Sequence, residues 1–440
     1  MLRGMSSVPL SYRLAMRAIR RSAPLLAFGR SRVARAVRGR SEGSDAMAGW
    51  GGRDRDPARA TVWFHAPSVG EGLQAGAVLA ALVAMRPDLQ VAFTHFSPSA
   101  EGLGERLGAD VSAYLPWDVA EPVRRALDDL RPDLLVFTKT EVWPVLVEEA
   151  ARRDIPVAIV GAAVREGAGR MRWPARGALR PTWARLTVAC ANTTQDAEGL
   201  SALGVDPSVV HVTGDPGVDA AARRAGEATP MAPYLAPLHA SGRSIVVAGS
   251  TWPADEDVLV PAWVRIRRAE PDALLVVAPH EPDPEAVSRL LERLRALGMI
   301  AVTLGTVERN GGVDSVDAVV VDRVGVLAHL YTAAAAAYVG GGFGRHGLHS
   351  VLEPAAAGLP TAFGPRHQNS RSAGELLRLG GASMAQDAAA LEIVMRAWLG
   401  HPKAKKDAGE RALDYIGAHL GAARRTAGLL EPLIGAAGQA

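Results

Sequence analysis

From Ala60 onward the chain alternates two patterns. Short runs dense in Val, Leu, Ile, Phe and Ala are followed by longer stretches whose apolar positions recur every three to four residues. The first pattern predicts buried strands and the second amphipathic helices. "TVWFHA", "LQVAFTHFS", "VSAYLPW", "DLLVFTKTE", "PVAIVGAAV" and "LTVACANT" read as strands, and "VVHVTGDPG" closes this half. Helices fall between them from Gly72 to Met85, around Ala100 to Leu107, over "EPVRRALDDLRP" and from Trp143 to Arg153. Apolar strands separated by helices predict a parallel sheet covered on both faces.

The rhythm stops in a Pro- and Ala-rich segment, residues 221–243, and then restarts. "SIVVAGST", "ALLVVAPH", "IAVTLG", "AVVVDRV", "AAYVGGGFG" and "LPTAFGP" are the strands of a second half, and helices finish the chain. The expectation is an α/β protein of two Rossmann-like domains facing across a cleft, with ligands at the carboxyl ends of the strands. Its parts are an arm and connector (1–59), a first domain (60–225), a linker (226–243) and a second domain (244–440).

Composition changes this picture only at the front. The chain has 49 Lys and Arg against 46 Asp and Glu, a net charge of +3, which by itself points to no partner. The charge is clustered, however. Residues 1–40 hold ten arginines and no Asp or Glu, with Leu10, Leu14, Leu25, Leu26 and Phe28 interleaved. No apolar run there reaches the ~18 residues a membrane span needs. A basic amphipathic arm lying on an anionic membrane surface is the physical reading, with a disordered basic tail, an over-extended start and a twin-arginine export signal as the alternatives, and no nucleic acid is expected. The Gly- and Ser-rich stretch after Arg40 reads as a flexible linker. The single cysteine, Cys190, lies at a strand end and reads as a small buried apolar residue.

Candidate chemistry sits where strands end. In the first half, Ser68, Gly70 and Glu71 occupy a strand-to-helix turn, Glu141 follows "FTKT", and Arg165 and Arg170 follow "VGAAV". In the second half, Ser250 and Thr251 leave one strand and His280 and Glu281 another. "YVGGGFGRHGLHSVLEP" sets Gly341 and Gly342 ahead of His349, Ser350 and Glu353. Bare glycine amides followed by a helix start favour a phosphate, and an in-helix Glu can accept ribose hydroxyls. Each residue has a plainer reading as well, as a cap, a tight turn or a solvated charge.

Taken in order, "FHAPSVGE", "TEVWP", "GST…DED", "APHE" and "GGGFGRHGLHSVLEPAAAGLPTAFGP" resemble the 3-deoxy-D-manno-octulosonic acid (Kdo) transferases that act on the lipid A precursor. The resemblance implies the glycosyltransferase-B architecture. It also implies CMP-Kdo as donor on the C-terminal half, a lipid acceptor on the N-terminal half, and a membrane-associated N-terminus at the cytoplasmic face of the inner membrane. It assigns Glu71 as the base that takes the proton from the acceptor hydroxyl. Ser250, Thr251, His280, Glu281, Gly341, Gly342, His349, Ser350 and Glu353 would bind donor, and Ser68, Gly70, Glu141 and Arg165 acceptor. No Asp-x-Asp metal motif is expected, and neither a metal nor a cofactor, CMP-Kdo being a substrate. Departures occur at Ser350 and Val351, where the family often has Asn and Pro, and at Gly161-Ala162-Ala163, where it often has Asn-Ala-Arg. The alternatives are another nucleotide-sugar transferase or a non-hydrolysing sugar-nucleotide epimerase of the same fold.

Overall fold

A computed structural model describes residues 8–29, 31–164, 169, 172 and 174–435. Its described residues form two parallel sheets in two compact units. The first sheet contains β1 (Thr61–Ala66), β2 (Gln90–His95), β3 (Val111–Tyr114), β4 (Leu134–Thr138), β5 (Val157–Ala162), β6 (Val188–Ala191) and β7 (Val210–Val212), in the order 3-2-1-4-5-6-7. The second contains β8 (Ile245–Thr251), β9 (Leu274–Pro279), β10 (Ala301–Thr303), β11 (Ala318–Val320), β12 (Ala336–Val339), β13 (Thr361–Phe363) and β14 (Ala382–Met384), in the order 10-11-9-8-12-13-14. Strands β1, β2, β4, β5 and β9 are buried along their whole length, and β8 everywhere except Ser250. That is why they read as unbroken apolar runs: a doubly covered parallel sheet has no polar face. Chain order reverses between β1 and β4 in one sheet and between β8 and β12 in the other. These are the switch points at which such sheets bind ligands.

Three domain expectations change. The stretch after Arg40 is not a flexible linker but part of a helix, Arg32–Arg53, that buries Met47 and Trp50 in the first core. Its glycines mislead because they serve packing. A Cβ on Gly39 would collide with the Tyr114 ring, and one on Gly51 with the Asp129 carbonyl. The segment 226–243 is not a loose linker either, because Leu235 and Leu238 are buried in the second core. Finally, the chain end does not stay with the second half. The first unit comprises residues 1–220 and 420–440, the second 221–419. Helix Ala422–Leu430 brings Leu430 into the first core, and Asp219 holds its start by accepting from the Gly421 and Ala423 amides at 2.8 and 3.1 Å. The edge strand β14 is an addition to the expected strands.

The arm contains a helix, Leu10–Ser22, tied to the first unit by Tyr12, whose hydroxyl donates to Asp118 at 2.8 Å, and by Arg13, paired with the buried Glu148. Leu10, Leu14, Ile19, Leu25, Leu26 and Phe28 remain exposed. No helix among the described residues is long and apolar enough to cross a membrane. Cys190 is fully buried, and burial pushes its thiol up to about 12, as expected of an inert packing residue.

Candidate functional site

In the first unit, β1 ends at Ala66 and the helix Val69–Met85 begins three residues later, with Ser68 in extended conformation at its N-cap. Glu71 therefore lies inside the first helical turn, not ahead of the helix. The Ser68 hydroxyl donates to its carboxylate, and the helix dipole favours negative charge at this position. Glu71 is half-buried. Nothing stands over Gly70, where an added Cβ would meet only the Ser68 Oγ, at 4.0 Å.

Glu141 follows the neighbouring strand β4, so both carboxylates occupy the same edge of the sheet. It does not open a helix, because the next one begins at Pro144. Its Oε1 accepts from Trp143 Nε1 at 3.1 Å and stands 3.6 Å from the Nε2 of His65. His65 is fully buried, with Nδ1 against Thr94 Oγ1 at 3.1 Å. Lys139, between strand and Glu141, has a φ of 67°, a left-handed conformation that non-glycine residues rarely adopt outside sites the fold over-determines. Gly161 has a φ of 60°, in the left-handed region where glycine is favoured. Arg165 and Arg170 lie outside the described residues.

In the second unit the glycine turn follows β12. Two of its amides are taken up within the unit rather than left open to an anion. Gly341 N donates to Asp255 Oδ2 at 2.8 Å, and Gly340 N to the Gly249 carbonyl at 2.9 Å. The glycines are required by close backbone packing. A Cβ on Gly340 would strike the Ser250 carbonyl, and one on Gly342 would lie 2.5 Å from the Gly364 nitrogen. Thr251 also departs from expectation. It is buried, and its hydroxyl lies 3.5 Å from the Glu256 carboxylate. Ser250 is half-buried with a φ of 54°. Ser350 is exposed and accepts from the Leu352 amide at 3.3 Å, a capping contact.

His280 and His349 do come together. Their rings stack at 4.3 Å, and Trp252 lies 4.7 Å from His280 and 4.0 Å from His346. Trp252 Nε1 donates to His349 Nε2 at 2.9 Å. Burial, reinforced by His280 and His346, lowers His349 to about 4, so it stands neutral and can accept that bond. Glu281 is half-buried in the following turn. Glu353 lies in the first turn of the helix Leu352–Ala356, paired with Arg224. Burial raises its pKa, and Arg224 pulls against that shift.

Sequence reasoning missed His65, Trp143, Trp252, Asp255 and Arg224. Only Asp255 left a local trace, as the acid at the third position of a Pro-started helix. His65, Trp252 and Arg224 matter through partners distant in the chain, and Trp143 through Glu141, two residues before it.

The family described as "3-Deoxy-D-manno-octulosonic-acid transferase (kdotransferase)" matches residues 40–220. A 3-deoxy-D-manno-octulosonic acid transferase of Bordetella pertussis is 30% identical over 88% of this chain and 90% of its own length. Among solved structures, a UDP-GlcNAc 2-epimerase from Neisseria meningitidis aligns with TM-score 0.60 at 14% identity, covering 84% of this chain and 99% of its own. A glycosyltransferase from Rickettsia africae aligns at 0.55 and 10%, covering 85% and 98%. These two likenesses establish the glycosyltransferase-B fold. The near full-length match to the Bordetella protein goes further: the chain belongs to the 3-deoxy-D-manno-octulosonic acid transferase family, glycosyltransferases of lipopolysaccharide biosynthesis.

Proposed function

We propose that the chain transfers Kdo from CMP-Kdo to the lipid A precursor, lipid IVA, with inversion at the anomeric carbon. The observation that carries this reading is the placement of Glu71: a half-buried carboxylate beside the open space over Gly70, at the switch point of the first sheet. An inverting transfer needs one base, which takes the proton of the acceptor hydroxyl as its oxygen bonds to the sugar. Glu71 takes that role, and Ser68, by donating to it, fixes its rotamer. Glu141, oriented by Trp143, is the second acceptor-side carboxylate.

CMP departs with the electron pair of the broken bond, and its phosphate gains charge. On the donor side, the exposed His280 and the half-buried Ser250 are assigned to it. Glu353, paired with Arg224, is offered to the ribose hydroxyls. Departure of an anionic leaving group gives the sugar oxocarbenium character, which dipoles fixed in advance stabilise. The arm, with its exposed leucines and Phe28, would hold the enzyme on the cytoplasmic face of the inner membrane, where the lipid acceptor lies.

The test is to incubate the purified full-length protein with CMP-Kdo and lipid IVA and follow the lipid by mass spectrometry. A mass gain of Kdo, with CMP release that depends on lipid, is the result expected. Interconversion of UDP-sugars without lipid modification would instead support the epimerase alternative and overturn this one.

A further inference from the structure

Arg40 projects from the buried face of the helix Arg32–Arg53 and is 5% exposed. Its guanidinium stands 4.5 Å from the centroid of Phe96 and 4.7 Å from that of Trp117, with the Tyr114 ring at 6.0 Å. Nη1 donates to the Ala36 carbonyl at 2.8 Å. No carboxylate among the described residues forms an ion pair with it. Arg13 and Arg20 on the same arm, by contrast, pair with Glu148 and Glu121. A buried charge is costly unless something compensates it. Aromatic rings offset part of the cost but accept little from the N–H groups that radiate in the guanidinium plane.

A second basic group beside it has no hydrogen-bond partner. His95, at the end of β2, is 3% exposed, and neither ring nitrogen has a hydrogen-bond partner. Its ring packs at 4.3 Å on Tyr114, the same ring Arg40 faces. Glu101, the acid in this cluster, is taken up by the Tyr114 hydroxyl and lies 3.9 Å from Arg35. The cluster borders the proposed acceptor side. Phe96, itself 41% exposed, stacks at 5.6 Å on Trp143, the residue that donates to Glu141.

The ligand that answers both groups is an anion with several oxygens. A guanidinium matches two oxygens of a phosphate in a fork, which leaves a third for an imidazole. We propose that Arg40 and His95 form a subsite for a phosphate monoester at the strand-exit edge of the first unit, entered past Phe96. The chemistry is shared by a phosphorylated lipid and by a soluble phosphate ester.

The test is calorimetric titration of the full-length protein with inorganic phosphate, repeated with Arg40→Gln, Arg40→Lys, His95→Gln and Phe96→Ala. Wild type should bind saturably. Arg40→Gln should lose roughly tenfold or more in affinity, consistent with loss of a charge-assisted pair. Arg40→Lys should keep part, and Phe96→Ala should lose a few-fold. If Arg40→Gln does not fold, His95→Gln and Phe96→Ala decide the matter. A second arm measures binding to phosphatidylcholine vesicles with and without phosphatidic acid. Competition by inorganic phosphate assigns a lipid source, and phosphate binding without such competition assigns a soluble ester. Absence of saturable phosphate binding by wild type, or wild-type affinity in all folded variants, would overturn the subsite. The titration involves no donor and no transfer. Its failure leaves the proposed activity standing, and a failed transfer assay leaves the titration informative.

Discussion

The Asp255 carboxylate accepts the backbone N–H of Gly341 at 2.8 Å, tying the helix that follows β8 to the glycine turn that follows β12. The same carboxylate accepts from Trp252 N at 2.9 Å, the Tyr338 hydroxyl at 3.0 Å and Phe343 N at 3.4 Å. It is fully buried, so its oxygens have no water to replace these donors. Asp255→Asn turns one acceptor oxygen into a donor and sets it against N–H groups. The expected loss is about 1–3 kcal/mol of stability, with roughly tenfold weaker CMP binding as the turn and Trp252 loosen. Thermal melting and calorimetric titration with CMP check both. Wild-type CMP affinity in the folded variant would remove Asp255 from any part in the pocket.

His349 supplies a pH prediction. Its ordinary value is 6.5 and its folded value about 4. The unfolded chain therefore binds this proton more readily, so the ring's contribution is complete above pH 6.5 and is lost as pH falls toward 4. Protonation also ends its role as acceptor from Trp252. The buried His95 shifts in the same direction to about the same value, so global acid denaturation cannot separate the two. Histidine NMR can. The His349 resonance should titrate near 4, and His280→Ala should move it upward by removing a neighbouring ring that opposes its charge. Titration of His349 near 6.5 in the wild type would contradict the packing described.

Most strands were legible in the sequence because a sheet covered on both faces leaves a continuous apolar run. Helix Arg32–Arg53 was not. Glycine normally argues against a helix, and here Gly39 and Gly51 are retained because Tyr114 and Asp129 leave no room for a Cβ. Glu71 and Glu141 were legible as residues at strand exits, since chain order alone puts them there. Their partners were not. The Arg224–Glu353 pair spans 129 residues and the Asp219–Gly421 bond 202, and no local pattern encodes either.

The helix packing can be tested within a single element. Gly51→Ala should lower the melting temperature, because its methyl meets the fixed Asp129 backbone. Gly52→Ala has nothing within 4 Å and should leave stability unchanged or raise it by up to about 1 kcal/mol. Equal melting of both variants would show that the close approach at Gly51 has no energetic weight.

Membrane attachment is best tested without deleting residues 1–45, since that would remove buried parts of helix Arg32–Arg53. Replacing the exposed Leu25, Leu26 and Phe28 with Ser removes apolar area and leaves that helix intact. Co-sedimentation with anionic vesicles should fall roughly tenfold or more for this triple variant, in line with about 25 cal/mol per Å² of apolar surface no longer buried in lipid. Undiminished sedimentation would place the anchor elsewhere.

The central claim is that Glu71 is the base of Kdo transfer. Glu71→Gln keeps the shape and a partner for Ser68 but cannot take a proton. The direct measurement is steady-state CMP release from CMP-Kdo in the presence of lipid IVA, with CMP-Kdo binding to the same variant followed by calorimetry. Turnover should fall roughly 100-fold or more while donor affinity stays within a few-fold of wild type. Near-normal turnover by a folded Glu71→Gln enzyme would contradict it.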